Sequence, residues 1–100
     1  MVSRTRKIII TSEAKQSRRF IFNYWIKRNK SNLYSRKLNS LFNEKFLQIA
    51  QFPEASIEIS TNLRIVLVRE YYLIFEFDDK IIKVLDIWDT RQNPENFPNK

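Results

Sequence analysis

The spacing of apolar residues divides the chain into a short strand, two helices and a run of strands. Residues Arg6 to Thr11 alternate weakly about Ile8 and Ile10 and are rich in β-branched side chains, which predicts a first strand. From Ser12 to about Asn29 the period changes: Ala14, Ser17, Ile21, Tyr24 and Trp25 fall on one helical stripe, with Thr11 or Ser12 placed to cap it and Glu13 suited to its positive end. Phe20, Phe22 and Ile26 lie partly off that stripe, which points to a broad apolar face or one patch kept for a partner, with wide core contact the expectation. Ser31 is positioned to cap a second helix running to about Gln51, with Tyr34, Leu38, Leu41, Phe42, Phe46 and Ile49 along one side and Phe52-Pro53 ending it. So short a link between two amphipathic helices predicts an antiparallel hairpin.

After Pro53 the apolar period is two. "SIEIS", "LRIVLVRE", "YYLIFEFD" and "KIIKVLDIW" follow one another with breaks too short for crossover helices, which predicts an antiparallel meander. Alternation puts Tyr71, Leu73, Phe75 and Phe77 on one face, beneath the helices, and Tyr72, Ile74 and Glu76 on the other. In the last strand Ile81, Leu85 and Ile87 form the natural buried set, with Ile82, Val84, Asp86 and Trp88 opposite. The expected fold is α+β, in the order β-α-α-β-β-β, an antiparallel sheet with a helical hairpin on one face. At 100 residues, 43% hydrophobic and 14% aromatic, the chain has material for one core, hence a single domain over 1–100 with a C-terminal tail from residue 90.

Composition narrows the chemistry. Cysteine and histidine are both absent, which excludes disulfides, thiolate zinc sites, cysteine nucleophiles and histidine-based proton transfer. No metal and no cofactor is expected. Glycine is absent too, so a glycine-rich phosphate loop has no means of forming in its usual way. Three consecutive isoleucines near the start are too few for a signal peptide or a membrane span, and the expected location is cytoplasmic. Charge is divided unevenly: residues 1–50 hold twelve Lys/Arg against two acids, and residues 51–100 hold six against nine. Such a field attracts nucleic acid or an acidic protein segment, while a solvated helix surface is the plainer explanation for any single basic run.

"SEAKQSRRFIFNYWIKRN", "YSRKLNSLF", the "FP" after the second helix, and above all "LRIVLVREYYLIFEF" followed by "IIKVLDIWDTRQNP" resemble, in this order, the RelE/ParE family of bacterial toxins. Members are small basic toxins encoded beside an antitoxin. Some cleave messenger RNA in the ribosome, whereas ParE-like members poison DNA gyrase. The resemblance implies a toxin–antitoxin hetero-oligomer with a cognate antitoxin, and either DNA gyrase or the ribosome and its mRNA as target. RNA-cleaving members carry an arginine directly after a tyrosine in the strand matched by "EYYLIFEF", where this chain has Tyr72. If Arg91 matches their arginine past the last strand, the tyrosine expected six residues later falls on Phe97, which has no hydroxyl. That depletion favours a ParE-like binder of a large target.

Arg64, Tyr72, Trp88, Arg91, Arg18 and Arg19 are therefore the candidate contacts for target or antitoxin. For Arg91 the competing reading is a salt bridge with Asp89, for Trp88 a place at the core edge, and Tyr24-Trp25 has core spacing. Asp86 and Asp89, three apart on a strand, are expected on opposite faces. Were the chain instead a metal-independent ribonuclease, Arg64 and Arg91 would carry catalysis with lysines such as Lys83. A third reading is a non-catalytic nucleic-acid-binding module whose helix cations meet phosphates.

Overall fold

The computed structural model describes residues 5–92. Strand β1 (Lys7–Ile10) leads into helix α1 (Ser12–Asn29), helix α2 (Leu33–Gln51), a 3-10 turn at Pro53–Ala55, and strands β2 (Ile57–Glu58), β3 (Arg64–Val68), β4 (Tyr71–Phe77) and β5 (Ile81–Asp89). Thr11 stays extended, and its Oγ1 accepts from the Ala14 N–H at 3.2 Å, supplying a partner to an amide that the helix itself leaves open. The same hydroxyl lies 3.0 Å from the carbonyls of Val84 and Leu85, so one side chain joins the start of α1 to β5. Lys30 ends α1 in the left-handed region at φ 51°, a conformation that costs a non-glycine residue roughly 1 kcal/mol. The formal cap of α2 is Asn32, but the hydroxyl that receives the Leu33 N–H, at 3.2 Å, belongs to Ser31.

The five strands form one sheet in the order β1-β5-β4-β3-β2. β2 through β5 make the antiparallel meander, with β2 reduced to two residues. β1 pairs with β5 in parallel, Lys7 to Ile81 through Ile10 to Val84, so the sheet is mixed and not wholly antiparallel. Both helices lie on one face. Trp25 meets Tyr34 near the interhelical turn and Phe22 meets Phe42 farther from it, as an antiparallel hairpin requires. Between layers Leu38, Phe42, Leu73, Phe75, Ile82 and Val84 are fully buried, each burial contributing about 1.5–3 kcal/mol for a large aliphatic or aromatic side chain.

β4 faces as expected: Tyr71, Leu73 and Phe75 enter the core beneath the helices, while Ile74, also buried, lies on the far side opposite Ile65. β5 does not. The ladder slips between Ile74 and Phe75, whose partners are Asp86 and Val84, leaving Leu85 as an extra residue. Ahead of this bulge Ile82 and Val84, not Ile81 and Leu85, are buried under the helices; after it Ile87 is buried as alternation required. Asp86 accepts from Ser17 Oγ of α1 at 2.6 Å and from its neighbour Ile87's N–H at 2.7 Å. Its carboxylate thus reaches the helix side, correcting the expectation that Asp86 and Asp89 point apart.

Candidate functional site

The core stripe of α1 holds Ala14, Ile21 and Trp25, one above another. At 100° per residue, Phe20 and Tyr24 sit on one flank of that stripe and Phe22 and Ile26 on the other. The broad core contact expected of the off-stripe residues holds only for Phe22, which packs on the core, whereas Phe20 is 73% exposed and Ile26 is also exposed. Tyr24, expected on the core stripe itself, is exposed as well, because it lies about 100° round the helix from Trp25. Each flank borders a depression. The Phe20 side opens on a cavity of about 530 Å³ between α1 and the end of β5, walled by Ile21, Tyr24, Tyr71 and Ile87 with Asp89 and Arg91.

Trp25 organises this end of the molecule. Its Nε1 donates to the Oη of buried Tyr71 at 2.8 Å, and its ring stands edge-on to Tyr34 and Tyr24, with centroids 4.7 and 5.1 Å away. Two guanidinium carbons approach the same ring, Arg91 at 5.8 Å and Arg28 at 6.0 Å. Asp89 fixes Arg91 at the strand exit: Oδ1 accepts from the Arg91 backbone N–H at 2.8 Å and from Nε at 3.0 Å, and Oδ2 accepts from Nη2 at 2.8 Å. Hydrogen bonds from the Arg91 side chain hold the Asp89 carboxyl below the usual carboxylate range, and the same pairing raises Arg91 further above its own. Burial pushes both the Tyr71 and Tyr34 phenols up, the neighbouring Glu70 carboxylate adding to the second, so neither phenol is a ready proton source near neutrality. The turn beside them places Arg69 at φ 57° without glycine, and Thr90 N–H bonds to the Glu70 carbonyl at 2.8 Å, tying it to the strand exit.

The six candidate residues fall into four places. Arg91 lies on the helix side of the sheet, half exposed, ion-paired and stacked. Tyr72 and Trp88 are cross-strand partners on the far side, both partly buried. Arg64 is at the opposite end of the sheet, paired with Phe75; its Nε donates to Ser56 Oγ at 2.8 Å, its Nη2 to the Ser56 carbonyl at 2.9 Å, and its guanidinium stands over Phe77. Counting along β4, the Arg64 position is roughly 13 Å from the Asp89 position and about 10 Å away across the strands. Lys83, between the buried Ile82 and Val84, faces the far side. Arg18 and Arg19 line a separate groove between α1 and α2. Phe97 and the Asn93-Pro94 pair lie outside the described residues.

Against known proteins, the model of the ParE toxin of the type II toxin–antitoxin system parDE matches residues 8–94. The chain belongs to the ParE toxin family. A solved structure, the chromosomal ParDE toxin–antitoxin system from P. aeruginosa, has a chain similar in fold with a TM-score of 0.72 at 13% identity, covering 87% of this chain and 98% of that one. No curated protein sequence matches. The sequence reading singled out the strand exit and Arg91, and the structure sets Phe20 and Tyr24 beside them on the cavity wall. The expected core stripe omits Phe20, which was the available signal, but includes Tyr24; both are exposed, four apart on one flank of α1.

Among the described residues no cluster of His, Cys, Asp or Glu has the makings of a metal site, and no helix is long and apolar enough to cross a membrane.

Proposed function

We propose that this ParE-family toxin arrests bacterial growth by binding DNA gyrase, acts in the cytoplasm, and is neutralised in a hetero-oligomer with a cognate antitoxin. The observation that carries the reading is the cavity beside Arg91. It joins a strongly exposed phenylalanine, Phe20, to a guanidinium already fixed in direction by Asp89 and Trp25. Exposed aromatics with an oriented arginine are what a protein-binding anchor needs, since such residues dominate interface energies. The same geometry speaks against the ribonuclease alternative: cleavage through the 2′-hydroxyl needs a base, an acid and cations converging on one phosphate. Arg64, Arg91 and Lys83 are instead at separate ends or faces, and Arg64 is committed to the Ser56 backbone and hydroxyl.

Induction of the chain in bacteria, with and without the neighbouring reading frame, tests the toxin and antitoxin parts together; arrest relieved by the neighbour is the expected result. Purified protein should inhibit gyrase supercoiling, and Phe20→Ala should weaken that inhibition at least tenfold, in line with loss of one aromatic hot spot. Unimpaired supercoiling, or ribosome-bound mRNA cut by the wild type and spared by Arg91→Ala, would overturn the reading.

A further inference from the structure

The second flank of α1 faces a groove of about 1050 Å³ between the two helices, on the side away from the Arg91 cavity. Five cations line it: Lys15, Arg18 and Arg19 from α1, and Arg36 and Lys37 from α2. No acidic residue lines it, and among the described residues none of the five is ion-paired. The remaining wall is rich in neutral donors, with Asn23, Asn32, Asn39 and Asn43 prominent. A surface solvated for its own sake ordinarily mixes both signs of charge. Here cations and amides converge from two rigid elements, and these are the side chains that hold nucleic-acid backbones.

We propose that the α1–α2 groove binds the phosphate backbone of duplex DNA without reading its sequence. Lys15 to Arg19 spans roughly 6 Å of helix, the axial length of about two phosphates on one strand. Duplex is favoured over single strands by what the groove lacks. Its one aromatic ring, Phe22, is partly buried and stacked on Phe42 with centroids 6.1 Å apart, so it offers no free face for an unstacked base. An acidic helical peptide is the rival occupant, but a helix partner would need a wider apolar floor than Phe22, Ile26 and Leu33 supply. This inference is independent of the gyrase reading, and its test requires neither toxicity nor a partner.

Fluorescence anisotropy with a labelled duplex of about 20 base pairs of mixed sequence, titrated with the full chain at several salt concentrations, measures the interaction. If three to five cations each displace a counterion, log K should fall with log salt at a slope of about −3 to −4.5, losing roughly 60- to 500-fold between 50 and 200 mM. Arg19→Glu with Arg36→Glu, two exposed positions on facing helices, should lower affinity at least tenfold at 50 mM and reduce the slope by about 2. Lys80→Glu, an exposed cation outside the groove, should change it less than threefold. Equal losses in both variants, tighter binding of a single strand of the same length, or tighter binding of a polyglutamate peptide with the same dependence on Arg19 and Arg36, would each overturn the proposal. Circular dichroism of the variants separates lost binding from lost folding.

Discussion

Asp89→Asn isolates the interaction that aims Arg91. The aspartate accepts three hydrogen bonds, from the Arg91 backbone and from two guanidinium nitrogens, all at 2.8–3.0 Å. Asparagine keeps one carbonyl oxygen and sets an amide donor against guanidinium donors, so the ion pair and one of the three bonds are lost. A buried charge-assisted bond is worth about 1.5–3 kcal/mol, but the Arg91 side chain is 50% exposed and solvent screens it, which reduces the expected loss to about 0.5–1 kcal/mol. With a urea m-value of about 1.2 kcal/mol/M for a chain of this size, the midpoint should drop by roughly 0.4–0.8 M at pH 7. The pH dependence has a fixed sign. Asp89 is held below the unfolded carboxylate pKa of about 3.9, so its contribution is complete above that value and disappears as pH falls through the lower, folded one. Urea titrations followed by tryptophan fluorescence at pH 7, 4 and 2.5 should therefore show wild type and variant separated at pH 7 and converging at pH 2.5. Arg91→Gln should give a similar gap, and the double variant little more than either. An undiminished gap at pH 2.5, or additive losses in the double variant, would refute the assignment of that energy to the Asp89–Arg91 pair.

Other outcomes follow from single contacts. Tyr71→Phe removes the acceptor of Trp25 Nε1 while keeping the ring against Phe42, and should cost about 1–2 kcal/mol in denaturant titration, with Trp25 emission shifted. Thr11→Val loses both the helix cap and the link to β5, for an expected 1–2 kcal/mol, roughly, whereas Thr11→Ser should recover most of it. Phe42→Ala, at the fully buried centre of α2, should destabilise by about 3–5 kcal/mol, a loss measurable as a lowered unfolding midpoint. Arg64→Ala removes bonds to Ser56 and should show as lost stability of under about 2 kcal/mol, with growth arrest by the surviving folded protein unchanged.

Periodicity was most legible where one local rule decides the outcome. Both helix spans, the Thr11 cap and the alternation of β4 depend on residues within a few positions of one another. β5 shows where that reasoning stops: a single extra residue at Leu85 reverses which side chains enter the core, and no composition signal near "KVLDI" marks it. The parallel partner of β1 is likewise a matter of the tertiary fold, since four isolated strand residues carry no information about which edge they will join. At the site, the Arg91–Asp89 pair was readable from a spacing of two. Its stacking on Trp25 was not, because that contact bridges residues 66 positions apart through the packing of α1 on β5.

The hydroxyl of Thr11 reaches carbonyls 73 and 74 positions later, and the strand before it is completed only by the strand that is synthesised last among those described. During translation everything from β1 through β4 is polymerised before that partner exists. Prematurely terminated products ending ahead of β5 therefore lack the strand that joins β1 to β4 and the segment that carries Arg91, so their first strand has nothing to pair with.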